Sequence, residues 1–334
     1  METKIYYEAD ADERLLEGRT IAIIGYGAQG AAHAQNVRDS GCDVIVGQRV
    51  GGPGYQAAVQ DGFQPVAIAE AAARADLINI LLPDEVHGEV FEKDIRAQLV
   101  PGNVVMTCHG FSFHYDYIQT PKGVDRLLVA PKGQGHMVRG EYLRGGGVPC
   151  LIAADDGATD ETLPLGLAYA KALGGTKAGV IQTTIAAETE TDLFGEQAVL
   201  CGGVSNLVKA GFDTLVHAGY QPELAYFECV HEMKIIVDLL HAKGLAAMRE
   251  AISNTAEFGD YVSGPRVIDT AVRQKMKDIL EDIQSGAFAK RFMDQHQDED
   301  QELLSFRAAE SGTEIEGVGQ KLRAMMPWLE TDDS

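Results

Sequence analysis

The chain has 334 residues, 45% of them hydrophobic and 23% charged, a balance that suits a globular protein with room for two domains. Acidic residues outnumber basic ones by 50 to 28, giving a formal charge of −22, and no Lys/Arg cluster offers a nucleic-acid footprint. Five scattered cysteines without a CxxC, no run of 18 apolar residues and a polar, acidic start argue against a disulfide framework, a thiolate zinc site, a membrane span and a signal peptide, and predict a cytoplasmic protein.

In chain order, the first element is a short apolar strand at 20–24. It runs into Gly25-Tyr26-Gly27-Ala28-Gln29-Gly30, and an Ala-rich helix follows over 28–39, with Gly41 as its stop. A second strand reads at 43–46. This is GxGxxG between a strand and a helix, the setting in which it binds a dinucleotide. Gly25 permits the tight turn, Gly27 lets backbone approach a pyrophosphate, and Gly30 lets helix and strand pack closely. The helix N-terminus then offers free N–H groups to the phosphates.

The loop after the second strand should choose between NAD and NADP. It lacks a carboxylate for the ribose 2′-OH; Gln48 is near that place, and Arg49 suits either a 2′-phosphate or stacking on adenine. Buried strands then read at 76–82, 104–107 and 127–130. In a doubly wound sheet, ligands bind beyond the carboxyl ends of the strands. Asp84, His109 and Lys132 all fall there and outline one rim of a site. Cys108, beside His109, reads as a small buried residue rather than a nucleophile. Sheet is expected to continue through 145–152, then a helix over 163–173 and a strand or linker over 180–185.

From there helical patterns dominate, at about 190–218, 222–243, 245–258 and 266–284. The pair Gly202-Gly203 interrupts the first, marking a kink or a close contact. Residues 294–302 read as a solvated acidic loop, with His296 at the surface, and residues 329–334 as a disordered tail. The reading is an α/β Rossmann-type doubly wound domain over 1–183 and an all-helical domain over 184–328.

The helical half carries the most informative pattern. Asp192 and Glu196 stand four apart, as do Glu228 and Glu232, so on helices each pair shares a face. The stripe near Asp192 carries Val199 and Leu200; that near Glu228 carries Leu224, Ile235, Ile236 and Leu239. These faces are expected to meet the core. Carboxylates there are costly unless something pairs with them, and two pairs of hard oxygen ligands point to Mg²⁺. One pair alone would read as a solvated helix edge; two pairs downstream of a nucleotide-binding signature do not. Glu188 and Glu190 read as outer support or solvated groups rather than ligands.

Several of these motifs together resemble the short-form ketol-acid reductoisomerases. The resemblance rests on Gly25 to Gly30 with His33 and Ala34, on residues 81–85, His109-Gly110-Phe111, 130–136 and 145–149. In the second half it rests on 188–197, 227–232, Ile252-Ser253-Asn254 and 325–328, so it spans nearly the whole chain. It implies Mg²⁺-dependent conversion of 2-acetolactate or 2-aceto-2-hydroxybutyrate to a dihydroxy acid with NADPH or NADH, in branched-chain amino acid biosynthesis. It implies cofactor contacts at 25–30, Arg49, Pro83, Asp84 and Gly135. It assigns two Mg²⁺ ions to Asp192, Glu196, Glu228 and Glu232, the second pair coming from a partner subunit, and a substrate contact to Ser253 of the partner chain. His109 and Lys132 resemble active-site rim residues, and either Glu232 or a metal-bound water or hydroxide serves as base. An obligate homodimer, or a higher oligomer, with interlocked helical domains follows. The loop at 50–55 lacks the Ser and Lys residues common in NADPH-preferring members, which leaves NADH use open. The alternatives are a metal-independent hydroxyacid dehydrogenase or imine reductase of the same plan, or a dinucleotide-sensing regulator.

Overall fold

The structure, a computed structural model, describes residues 3–329. The chain divides into two compact units, one ending at Thr191 and the next starting at Asp192; the sequence reading puts its boundary near 183.

The first unit holds eight strands: β1 (Ile5–Tyr6), β2 (Thr20–Ile24), β3 (Asp43–Gly47), β4 (Leu77–Ile80), β5 (Val104–Thr107), β6 (Asp125–Pro131), β7 (Cys150–Ala154) and β8 (Val180–Gln182). They form one sheet in the order β1-β8-β7-β6-β5-β4-β2-β3. The run β3-β2-β4-β5-β6 is parallel, β7 joins β6 antiparallel, and β1 closes the far edge antiparallel to β8. The helices are α1 (Ala28–Asp39), α2 (Pro53–Gln60), α3 (Ile68–Arg74), α4 (Asp84–Val90), α5 (Phe111–His114), α6 (Gly135–Leu143) and α7 (Thr162–Leu173). Strands β2 and β4 are buried along nearly their whole length, as a sheet covered on both faces requires. The strand order reverses at β2, with β3 on one side and β4 on the other. The crevice at a switch point of this kind is where such sheets bind ligands.

Beneath that crevice lies a buried polar relay. The amide of Asn79 on β4 donates to the Tyr169 hydroxyl at 2.8 Å, and that hydroxyl lies 2.8 Å from His33 Nδ1. Either the hydroxyl or Nδ1 carries the proton of this contact, and full burial keeps the ring neutral. Complete burial lowers the His33 pKa to about 3. Unfolded, the ring has the ordinary value of 6.5. Stability from this group is thus fully present above pH 6.5 and falls as the pH drops toward 3, because only the unfolded chain takes up the proton. Between pH 7 and 5 the loss through His33 should be about 2 kcal/mol. Urea unfolding at the two pH values measures it; a His33→Gln protein with an equally steep loss would clear His33 as the cause.

Helix α8 (Ile185–Gly195) starts in the first unit and runs across the division. The second unit continues with α9 (Gly202–His217), α10 (Pro222–Tyr226), α11 (Met233–Ala251), α12 (Asn254–Val267), α13 (Thr270–Gln284), α14 (Ala287–Gln297), α15 (Gln301–Ser311) and α16 (Glu314–Arg323). Its core is small: Phe212, Ala225, Tyr226, Val318, Leu322 and Met326.

Three expectations change here. The segments at 190–218 and 222–243 are not continuous α-helices, because wide π turns interrupt them at Glu196–Leu200 and Phe227–His231. The glycine pair marks the exit from the first: a Cβ on Gly202 or Gly203 would lie 2.2 Å from the carbonyl oxygen of Gln197 or Ala198. The 245–258 segment breaks at Ile252 and Ser253, where Ser253 caps α12 by accepting from Ala256 N. Residues 294–302 are not one loop, since 294–297 finish α14 and 301–302 open α15; His296 pairs with Asp300 at 3.2 Å. The break expected at 244 is present, with Gly244 at φ 80°. Of the tail expected at 329–334, only Leu329 is described, in a short turn; the rest lies outside the described residues.

The stretch Ile185–His217 is long and apolar enough, by length and composition, to cross a bilayer. It also carries Glu188, Glu190, Asp192, Glu196, Lys209 and Asp213, a load of ionisable groups that a bilayer interior disfavours.

Candidate active site

The dinucleotide cleft is built by glycines at three kinds of contact. Gly25 has φ +102°, open to glycine alone at little cost, and a Cβ there would lie 2.5 Å from Leu81 O. The loops after β2 and β4 therefore meet directly. A Cβ on Gly30 would lie 2.3 Å from Gly25 O, so this glycine lets α1 lie close under the turn. Gly27 differs, because nothing of the protein lies within 4 Å of its Cβ position. That open space stands at the N-terminus of α1, whose cap residue Gly27 makes no side-chain cap bond. The N–H groups of the first turn, from Ala28, Gln29 and Gly30, have no helical acceptor.

A second helix N-terminus comes to the same place. Helix α6 starts at Gly135, and a Cβ there would lie 2.1 Å from Ala28 O and 3.0 Å from Gln29 N. The Gln29 side chain donates to Gly133 O at 2.9 Å. Two helix dipoles thus point their positive ends at one spot, which suits a doubly charged pyrophosphate. Tyr26 turns its side chain into the protein, where its hydroxyl donates to Asp61 Oδ2 at 2.8 Å, so it can meet a dinucleotide through its backbone. Arg49 is exposed in the loop before α2, and its N–H donates to the Gln48 side chain. Pro83 caps α4, and Asp84 opens it. Burial raises the Asp84 carboxyl above its usual range, with His109 and His87 pulling the other way.

The rim at the ends of β5 and β6 gathers around Glu188, which is 1% exposed. Its carboxylate accepts from the Lys132 ammonium at 2.9 Å and from Gly110 N at 2.9 Å, and it lies 3.3 Å from His109 Nδ1. Burial alone would raise this carboxyl; His109 and Lys132 outweigh it and hold it below the usual range. A Cβ on Gly110 would lie 2.2 Å from Thr189 Oγ1, so the His109 loop and the first turn of α8 fit only with glycine between them. Glu188 is accordingly no solvated group. Of the two readings the sequence left open for it, outer support fits, and 188, 192 and 196 continue one stripe at four-residue spacing. Burial pushes the Cys108 thiol up to about 12, which supports reading it as a packing residue rather than a nucleophile.

In the second unit Asp192 is half-buried, while Glu196, Glu228, Glu232 and Ser253 are exposed. The stripes expected to face the core do not: Val199 is 50% exposed, Leu200 69%, Leu224 52%, Ile235 57% and Ile236 38%. This reverses the expectation of core-facing carboxylates. The small core of this unit draws on α9, α10 and α16, taking Ala225 and Tyr226 rather than Leu224, and includes no residue of 196–200 or of α11. Among the described residues, Glu196, Glu228 and Glu232 join no group of three or more metal-binding side chains. Each pair sits at a π turn, a device that recurs at functional sites.

Two family models match the chain. One, described as the acetohydroxy acid isomeroreductase NADPH-binding domain, matches residues 15–179; the other, described as the ketol-acid reductoisomerase C-terminal domain, matches residues 185–328. Among solved structures, an NADH-preferring ketol-acid reductoisomerase from an uncultured archaeon shares 42% identity, covering 97% of this chain and 99% of its own, with a TM-score of 0.92. A semialdehyde dehydrogenase NAD-binding protein from Cupriavidus necator, in complex with calcium and NAD, shares 20% identity at TM-score 0.60, covering 80% of this chain and 99% of its own. An oxidoreductase from a Jannaschia species shares 16% at TM-score 0.57, covering 80% and 97%. The last two are alike in fold alone.

Proposed function

The chain belongs to the ketol-acid reductoisomerase family, and on that premise we propose that it works with Mg²⁺ held by Asp192 and Glu196 and takes NADH as well as NADPH. The family reaction converts 2-acetolactate, or 2-aceto-2-hydroxybutyrate, to 2,3-dihydroxy-3-methylbutanoate or 2,3-dihydroxy-3-methylpentanoate. The observation that carries the residue assignment is Glu188, a buried carboxylate that fixes Lys132 and the His109 loop one helical turn before Asp192.

In the first half of the reaction the substrate's tertiary hydroxyl loses a proton, and an alkyl group moves to the neighbouring carbonyl carbon. Negative charge passes from one oxygen to the other. Lys132, whose ammonium is held by Glu188, supplies a fixed positive charge toward an oxygen on which negative charge develops. His109, held against the same carboxylate, orients beside it. Glu232, exposed at the start of α11, and a water are both available as base. Mg²⁺, when bound, supplies Lewis acidity to the two substrate oxygens. The donors fit it, since all four carboxylates are hard oxygen ligands, and carboxylates from both pairs suit an octahedral ion that keeps several waters.

In the second half the dinucleotide, when bound, supplies the hydride. The protein's part is to seat its phosphates, and the open space at Gly27 between two helix N-termini fits that group. The loop from Gln48 to Gly54 has no carboxylate and one cation, Arg49, and the 42%-identical relative prefers NADH. The lone cation admits the 2′-phosphate of NADPH, and the preference of the relative supports use of NADH.

The dimer reading draws on the exposed apolar side chains of α11 and α12. Ile235, Ile236, Val237, Leu240 and Leu245 on one helix and Phe258, Tyr261 and Val262 on the next are each 38% exposed or more. Monomeric surfaces rarely carry contiguous apolar faces of this kind. A partner chain covering them would bring its own Glu228, Glu232 and Ser253 to the site. The five unpaired cysteines suit a cytoplasmic, reducing location.

Oxidation of NADH and NADPH, followed in parallel with racemic 2-acetolactate with and without Mg²⁺, tests the proposal. Mg²⁺-dependent oxidation of both cofactors is expected, with NADH the faster. Turnover that survives EDTA would instead support a metal-independent dehydrogenase, and NADPH oxidation without NADH oxidation would overturn the cofactor assignment.

A further inference from the structure

His87 is a buried histidine that the reaction itself does not use. It lies on α4, the helix after the Leu82-Pro83-Asp84 turn, and is 3% exposed. Its Nε2 is 2.8 Å from the carbonyl oxygen of Leu82, and its Nδ1 is 2.9 Å from the Ser112 hydroxyl. A carbonyl only accepts, so Nε2 carries the proton and donates. Nδ1 is then the acceptor, and Ser112 donates to it. Both ring nitrogens are satisfied by a single neutral tautomer.

The two partners belong to different loops. Leu82 ends the segment after β4 that leads into Pro83 and Asp84, beside the Gly25 turn. Ser112 lies in α5, three residues after His109. The titratable groups around the ring are Asp84, at 3.9 Å from Nδ1, with Glu85 and His109 further off. Burial lowers the His87 pKa, against the pull of Asp84, which keeps the required tautomer in place.

We propose that His87 is a positioning residue for the dinucleotide: it ties the Leu82–Asp84 loop to the His109–Ser112 loop and so fixes the two strand-end walls between which the nicotinamide half of NAD(P)H must lie. The inference rests on the dinucleotide site of the proposed function but adds a residue to it. His87 touches neither substrate nor cofactor. It acts through the Leu82 carbonyl and the Ser112 hydroxyl.

The test is cofactor affinity, read by NADH fluorescence titration in the absence of substrate, for wild type, His87→Phe, His87→Gln and Ser112→Ala. Phenylalanine keeps the ring volume and removes both hydrogen bonds. Glutamine can donate to Leu82 and accept from Ser112. Loss of a buried hydrogen bond predicts about tenfold weaker NADH binding for His87→Phe, a smaller loss for Ser112→Ala, and recovery toward wild type in His87→Gln. The KM for NADH should rise accordingly, with kcat changed less. Unaltered NADH affinity in His87→Phe, or in Ser112→Ala should the first variant fail to fold, would overturn the proposal and leave His87 a packing residue. Equal loss in His87→Gln and His87→Phe would overturn it as well. A wild-type protein that binds NADH yet does not turn over acetolactate would count against the proposed reaction and leave this test intact.

Discussion

Asp192→Asn should abolish Mg²⁺-dependent turnover of 2-acetolactate while leaving the protein folded and able to bind NADH. Asparagine has nearly the same shape but no charge, and Mg²⁺ is held by anionic oxygens. The position itself is held independently of any metal. Helix α8 is anchored one turn earlier, where Glu188 accepts from Gly110 N and from Lys132, and its first turn is capped by Thr184 Oγ1, which accepts from Ala187 N. The backbone at Asp192 should therefore stay in place when the charge is removed. A support residue around a metal ligand typically contributes about 10–100-fold; loss of the ligand itself should exceed the upper end of that range. The rearrangement can be followed apart from the reduction, by product analysis without cofactor. Both halves should fail together in Asp192→Asn, and an undiminished rearrangement would refute the metal role.

Gly27→Ala is the second large effect, and its interest lies in what it spares. At Gly25 and Gly30 an added methyl would run into backbone at 2.5 Å and 2.3 Å, so those substitutions should cost folding stability as well as function. Gly27 has φ −85°, which alanine accepts, and open space beyond its Cβ position. The methyl should then fit the protein and collide only with the phosphates. The expected result is a melting temperature within a degree or two of wild type and NADH binding weakened by roughly a hundredfold, the scale of a lost charge-assisted contact at a helix N-terminus. Thermal melting and NADH titration on the same sample check it. If binding is unchanged, the phosphates do not lie at Gly27.

These glycines also show why parts of the fold were legible in advance. The strand at 20–24 and the helix at 28–39 coincide with β2 and α1, because an apolar run, a glycine turn and an alanine-rich segment are all local signals. Strand β1 has two residues and pairs with β8 at the far end of the first unit; nothing near Ile5 announces that partner. The π turns were invisible for a related reason. Residues 196–200 are mostly good helix formers, and there the tight fit of Gly202 and Gly203 against Gln197 and Ala198 distinguishes a wide turn from a regular one. In the candidate site, the four-residue spacing of the two carboxylate pairs was legible, whereas the exposure of Glu196, Glu228 and Glu232 was not. The sequence left Glu188 open between outer support and a solvated group because its burial depends on Gly110 and Lys132, more than fifty residues away in sequence.

The wide turn between Gly195 and Cys201 is, in the arithmetic of the backbone, a helix with one residue too many. Removing a residue between Glu196 and Gly202 would restore an even pitch and leave the hydrogen-bond ladder unbroken. Five residues at the wider pitch turn through about the same angle as four in a regular helix, so the segment downstream would keep nearly its present direction relative to Asp192. The surplus residue is absorbed locally: it shifts the sequence by one place against the helix surface while the path of the helix is kept. A one-residue gap at this place would therefore mark an insertion taken up within one turn, with the helical segments on either side unchanged in direction.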